Sequence, residues 1–270
     1  HPAALSDAGE SAVANAFTVV AVASASLGGG IDGNVCTVGE TTAMYNLFAD
    51  AETVDVNLVF QANSGFSAAD TRTLSNFLVA LAAARKDAVA FVSPERAATA
   101  NAAAPATDVA AWRTALTSSS YGFADSSSLY VYDKYNDVYR WICAAGSTAG
   151  LTANADLVAD AWFSPAGFTR GAVRNVTKLA WNPNQADRDA LYKTGVNPIV
   201  TFPGQGTVLF GDKTLQAKPS AFDRINVRRL FIVLEKAVSA ASKASLFEFN
   251  DEFTRAQFRN MVEPFLRDVQ

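Results

Sequence analysis

Apolar runs of strand length, alternating with helical patterns, limit this chain more than any other feature. Residues 17–23 (FTVVAVA), 54–60 (VDVNLVF) and 88–92 each read as a buried strand. Between the last two, Leu74, Phe77, Leu78 and Leu81 recur at helical spacing as far as Arg85, behind a capping residue at Ser67 or Asp70. A shorter helix fits residues 40–50. Continuous apolar strands need cover on both faces, and strand–helix–strand order with right-handed crossovers makes neighbouring strands parallel. The expected class is therefore α/β (α+β mixed): a covered, mainly parallel sheet with flanking helices, plus a smaller C-terminal α+β part ending in two amphipathic helices.

Further along, residues 97–106 are alanine-rich and fit a frayed helix or loop, and residues 108–116 fit a short helix. Two strands are expected at 129–133 and 138–143, around a turn at 134–137. Past Gly150 the texture changes to aromatic–Pro–Gly punctuation, so a soft boundary divides the chain into 1–150 and 151–270. No linker separates the two parts, which predicts that they pack together. Residues 185–194 read as a helix stopped by Gly195, followed by strands at 198–202 and 207–210. In the tail, Val227, Leu230, Phe231, Leu234, Ala237, Val238 and Ala241 form one helical stripe, capped by Asn226 or, more weakly, by Ser220 with Asp223. Phe258, Met261, Val262, Phe265, Leu266 and Val269 form a second, capped by Asn250, Asp251 or Thr254.

Composition narrows the function. Half of the 270 residues are apolar, 18% are charged and the net charge is −4, with Arg and Lys scattered among acids. Binding the nucleic-acid backbone requires a concentrated basic footprint, so direct contact with nucleic acid is not expected. No apolar run reaches the length of a membrane span. Residues 17–25 imitate a signal-peptide core, but Asp7 and Glu10 precede them where basic residues belong. The start at His1 and the end inside a helical pattern read as part of a longer chain.

Catalytic chemistry finds little to stand on. His1 is the sole histidine, which leaves no Ser–His–Asp or Cys–His arrangement. Cys36 and Cys143 form no CxxC pair, support no zinc site, and are expected as buried free thiols. Residues 206–214 (GTVLFGDKT) nearly match the phosphate loop GxxxxGK[ST], but Asp212 intrudes before Lys213 and puts a carboxylate where an anion would sit. Gly28, Gly29 and Gly30 follow a strand without completing a dinucleotide fingerprint. The carboxylate pairs Asp187/Asp189 and Asp251/Glu252 fit caps and surface ion pairs. No catalytic, metal or cofactor residues are expected.

Four motifs point elsewhere: WFSPAGFTRG (162–171), KLAWNP (178–183), RDALYKTGVNPIVTFPGQGTVLFGDKTL (188–215) and PSAFDRINVRRLFIVLEKAV (219–238). With FEFNDEFTRAQFRNMVEPFLRDVQ (247–270) they resemble the contractile tail sheath proteins of myovirus-type phages, most of all those of T4-like phages. The resemblance is strong from Leu129 onward and looser before it, and ICAAGSTAGL (142–151) departs from the polar Gly-Asp turn of the family. It implies a structural subunit of the virion tail, assembled in the host cytoplasm. Its partners would be other copies in a six-fold helical homopolymer, the tail tube, the baseplate and the tail terminator, with no membrane insertion. Contraction would follow from a change between two sets of contacts rather than from a nucleotide. A sheath of a bacterial contractile injection system is the alternative, and an α/β nucleotide-binding enzyme using the 206–214 loop a more distant one. Arg224, Arg228 and Arg229, clustered on and before the first tail helix, are candidate inter-subunit or tube contacts. Intramolecular pairing with Asp223, Glu235 or Asp251 is the competing reading.

Overall fold

Ser67 opens the longest helix of the N-terminal half: its Oγ accepts the Asp70 amide at 3.2 Å and donates to the Asp70 carboxylate at 2.9 Å. That helix, α2 (Ala68–Arg85), ends on Lys86 in the left-handed conformation, and the chain re-enters the core as β2 (Val89–Val92). The structure is a computed structural model that describes residues 36–62, 65–243 and 246–269. The strand expected at 17–23 and the glycines at 28–30 lie outside the described residues.

Before α2 come α1 (Val38–Asn46), held by a capping box between Thr37 and Glu40, and β1 (Leu58–Phe60). After β2 follow the short α3 (Arg96–Thr99), α4 (Pro105–Thr114) with proline in its first turn, and β3 (Gly122–Asp125). Next are β4 (Ser128–Asp133), β5 (Val138–Cys143), α5 (Ala145–Val158) and β6 (Lys178–Leu179). Then come α6 (Gln185–Thr194), β7 (Val196–Asn197), β8 (Ile199–Phe202) and β9 (Gly206–Leu209). A 3-10 turn at Ala221–Asp223 leads into α7 (Ile225–Ser242), and α8 (Glu252–Val269) follows.

The central sheet is parallel throughout, in the order β1-β2-β3-β7. Side-chain alternation splits its two faces. Ala90, Val92, Ala124 and Val196 meet Leu74 and Leu78 of α2, Val109 and Trp112 of α4, and Leu191 of α6. Val89, Phe91 and Phe123 meet Ala145 and Ala149 of α5 and Ile225 and Ile232 of α7. Both faces are therefore covered, as the continuous apolar runs require. Each large side chain buried here is worth roughly 1.5–3 kcal/mol. A second, antiparallel sheet runs β5-β4-β6, and β8 and β9 form a hairpin.

Several sequence expectations need correction. A strand, β3, occupies residues 122–125, where none was expected, and Gly122 makes room there: a Cβ would lie 2.6 Å from Leu215 Cδ1 and push that buried side chain aside. A helix, α5, fills 145–158, where none was expected. Beyond Gly150, β7 hydrogen-bonds into the sheet beside β3. Helix α7 begins before Asn226: the cap position is Arg224, and the Ile225 amide donates to the Asp212 carbonyl at 2.9 Å. Asn226 Oδ1 is left buried without a partner, and Ser220 caps the 3-10 turn instead. Cys36 is exposed rather than buried. Asp251 does cap α8, accepting the Thr254 amide at 2.8 Å.

Candidate functional site

The three arginines of the tail sit where α7 meets the rest of the molecule. Arg224, drawn in by the bridge between its backbone and Lys213, places Nη1 2.6 Å from Asp212 Oδ1 and also against the Tyr192 hydroxyl. Asp223 is a weaker partner at 3.7 Å. The hydrogen bond that Arg224 donates to the Asp212 carboxylate raises the guanidinium pKa further. Burial, then the Asp212 charge, raises that of Tyr192. Arg228, buried, is sandwiched with its guanidinium carbon 4.0 Å from the Phe222 ring centroid and 4.3 Å from that of Tyr121. Arg229, also buried, forms a two-pronged pair with Asp156 of α5 at 2.5 and 2.6 Å. So Arg228 and Arg229 tie α7 to the sheet and to α5, while the Arg224 side chain keeps 42% of its surface exposed. Of the intramolecular partners expected from sequence, Asp223 alone is engaged. Asp156 and Asp212, distant in sequence, carry most of the pairing, and no local pattern announces them.

The carboxyl ends of the parallel strands form the second polar centre. In open α/β sheets this edge is where ligands usually bind. Asp125, fully buried at the end of β3, accepts a hydrogen bond from Ser93 Oγ at 2.5 Å and a long one from the Ser127 amide at 3.3 Å. Ser93 Oγ in turn accepts the Ala145 amide at 2.8 Å, so one hydroxyl joins β2, β3 and the start of α5. Burial pushes the Asp125 carboxyl up to about 7, against the lowering effect of Ser93. Burial, reinforced by Asp125, pushes the Cys143 thiol up to about 12. That thiol is protonated at neutral pH and is no nucleophile there. A recess of about 510 Å³ opens nearby, lined by Gln61, Pro94, Glu95, Ser128, Trp141 and Cys143 among others. Its carboxylate, Glu95, pairs with Arg72 at 3.3 Å.

The near phosphate loop has a different geometry from a nucleotide cradle. Its spacer is the strand β9, and the Asp212 carboxylate is occupied by Arg224, Tyr192 and Ser164. Lys213 lies over the Tyr192 ring at 4.5 Å. Asp187 completes a capping box with Asn184 at the start of α6. No group of three or more His, Cys, Asp or Glu side chains able to hold a metal occurs among the described residues. No helix among them is long and apolar enough to cross a membrane.

The sequence of this fold, with its polar groups tied internally, matches a known family. Residues 39–215 match the phage tail sheath protein central domain. The chain belongs to the phage tail sheath protein family. It is 41% identical over 262 residues to the tail sheath protein of Vibrio phage KVP40, covering 90% of this chain and 39% of that protein. It is 41% identical over 256 residues to the tail sheath protein of Enterobacteria phage T4, covering 89% of this chain and 38% of that one. The chain thus spans about two fifths of the length of these relatives. In three dimensions it is similar to the helical sheath of the anti-feeding prophage in its contracted state, with a TM-score of 0.67 and 18% identity. That match covers 88% of this chain and 60% of the other. A sheath from an extracellular contractile injection system, also contracted, gives a TM-score of 0.62 at 19% identity, covering 80% and 55%. At these identities the likeness shows the fold: the mixed α/β architecture with its parallel sheet is that of sheath proteins.

Proposed function

We propose that this chain is part of a structural subunit of a contractile phage tail sheath, which polymerises around the tail tube and contracts to drive the tube through the host envelope. The observation that carries this is the 41% identity to named tail sheath proteins over nine tenths of the chain. The subunit acts through contacts with other copies, with the tube, with the baseplate and with a terminator, in a virion tail assembled in the host cytoplasm. It needs no catalytic residue or cofactor, since the work comes from exchanging one set of subunit contacts for another. The parts before and after Gly150 move together in this reading, which the pairing of β3 with β7 supports. Arg224 is the member of the arginine trio best placed to reach a neighbour or the tube. Arg228 and Arg229 act on such contacts by fixing the attitude of α7. The shared fold with injection-system sheaths makes that setting the second reading. The test is negative-stain microscopy of the full-length protein: hollow striated tubes are expected, and stable monomers at high concentration would overturn the proposal.

A further inference from the structure

Two exposed aromatic surfaces on this chain are complementary. The first is a recess. Phe168, Phe202 and Phe210 touch one another, with ring centroids 5.3, 5.9 and 5.5 Å apart, and Phe168 and Phe210 are exposed. Phe210 also lines a hollow of about 370 Å³ with Arg188, Asp189, Tyr192 and Pro198. The Arg188 guanidinium lies 5.6 Å from the Phe202 ring centroid, and Arg170 lies over Phe163 at 5.2 Å. Among the described residues neither guanidinium has a carboxylate within ion-pair distance, although Asp189 shares the hollow.

The second surface is the turn between α7 and α8. Phe247 and Phe249 project from it and Phe253 from the first turn of α8, Phe247 being fully exposed at 105%. Between and beside them stand Glu248 and Glu252, both exposed and, among the described residues, without a cationic partner. Arg170 Nε donates to the Ser164 carbonyl at 2.8 Å and Arg188 Nη1 to the Pro183 carbonyl at 3.2 Å, which leaves their charge without a counter-ion. Uncovered phenylalanines flanked by acids without a cation match uncovered phenylalanines flanked by guanidiniums without a carboxylate in both apolar surface and charge.

The two surfaces lie at opposite ends of one helix. Phe210 is two residues from Asp212, whose carbonyl accepts the first amide of α7. The acidic turn follows the other end, where the Leu246 amide donates to the Lys243 carbonyl. Between them stands α7, whose 18 residues make it about 27 Å long. A turn and a recess held this far apart on a rigid helix meet between copies, and a head-to-tail contact of that kind propagates instead of closing on itself.

We propose that the acidic aromatic turn of one copy docks on the phenylalanine–arginine recess of the next. The inference rests on the sheath reading and names one contact of its lattice. Guanidinium–carboxylate pairs at the rim set register, while the rings supply the buried area.

The test uses the full-length protein in a Cys36→Ser, Cys143→Ser background, so that neutral positions carry the cross-link. Protein with Asn250→Cys is mixed with protein carrying Gln185→Cys and oxidised. The expected result is a 250–185 disulfide between chains, formed about tenfold faster than a control pairing of Asn250→Cys with Asn136→Cys at the β4–β5 turn. Arg188→Glu in the recess protein should remove that excess, and Glu248→Arg in the turn protein should restore it. Tubes that assemble while the 250–185 cross-link stays at the control level would overturn the contact and leave the sheath reading intact. Neither tubes nor cross-link would overturn both.

Discussion

At the scale of single residues, the molecule depends on buried polar groups that each serve two or three elements. Asp125 shows the cost. Its carboxyl ordinarily titrates near 3.8 and is pushed to about 7 in the fold. Between those values the folded state keeps a proton that the unfolded chain has released. Stability therefore falls as pH rises from about 4 to about 7, by at most about 1.4 kcal/mol per pH unit, and levels off above that window. Asp125→Asn should flatten the profile, and urea unfolding across that pH range measures it; an unchanged slope would contradict the assignment. Arg229 tests the opposite case, a buried cation with a well-made partner. Arg229→Ala leaves Asp156, whose side chain is 36% exposed, partly able to rehydrate. The expected loss is about 2–3 kcal/mol, below the range for a wholly buried pair, and a double-mutant cycle with Asp156→Ala should recover most of it as coupling.

At the scale of elements, what the sequence made legible follows from whether the signal was local. The strand at 138–143 and the helix at 185–194 match their observed bounds, because apolar runs, a capping box and Gly195 lie within the segments themselves. The candidate contacts were legible only as a cluster of arginines. That Arg229 turns to Asp156 and Arg228 to Tyr121 and Phe222 depends on how α7 crosses α5 and β3, which no spacing reveals. Strand β3 was hidden for the same reason: a four-residue GFAD segment gains its stability from neighbours on both sides. Helix α5 was hidden because alanine, glycine and threonine leave no apolar stripe to detect. Elements also differ in how far tertiary packing supports them. Helix α2 buries eight residues, whereas α8 buries none and carries Pro264 in its interior. In hydrogen exchange on the unassembled chain, α8 should open at about 1–3 kcal/mol and α2 near the global unfolding energy. Equal protection of the two helices would contradict this ranking.

At the scale of the whole molecule, the proposed role asks for a body that moves as a unit. A parallel sheet covered on both faces gives a stiff centre, and Arg228 beside β3 and Arg229 on α5 hold α7 in place over it. Exposed aromatic groups lie toward both ends of that helix, Phe210 near its start and Phe247 and Phe249 past its end, alongside exposed apolar side chains elsewhere such as Leu47, Tyr135 and Leu157. A subunit of this kind transmits force if its interior stays fixed while its outer contacts change. The most direct measurement is a helical reconstruction, by electron cryomicroscopy, of polymer grown from the full-length protein. The expected result is a hollow tube in which every lattice point holds one copy of the β1-β2-β3-β7 sheet with α7 unchanged in its seating. Particles that remain monomeric at high concentration, or a polymer without a lumen, would contradict it.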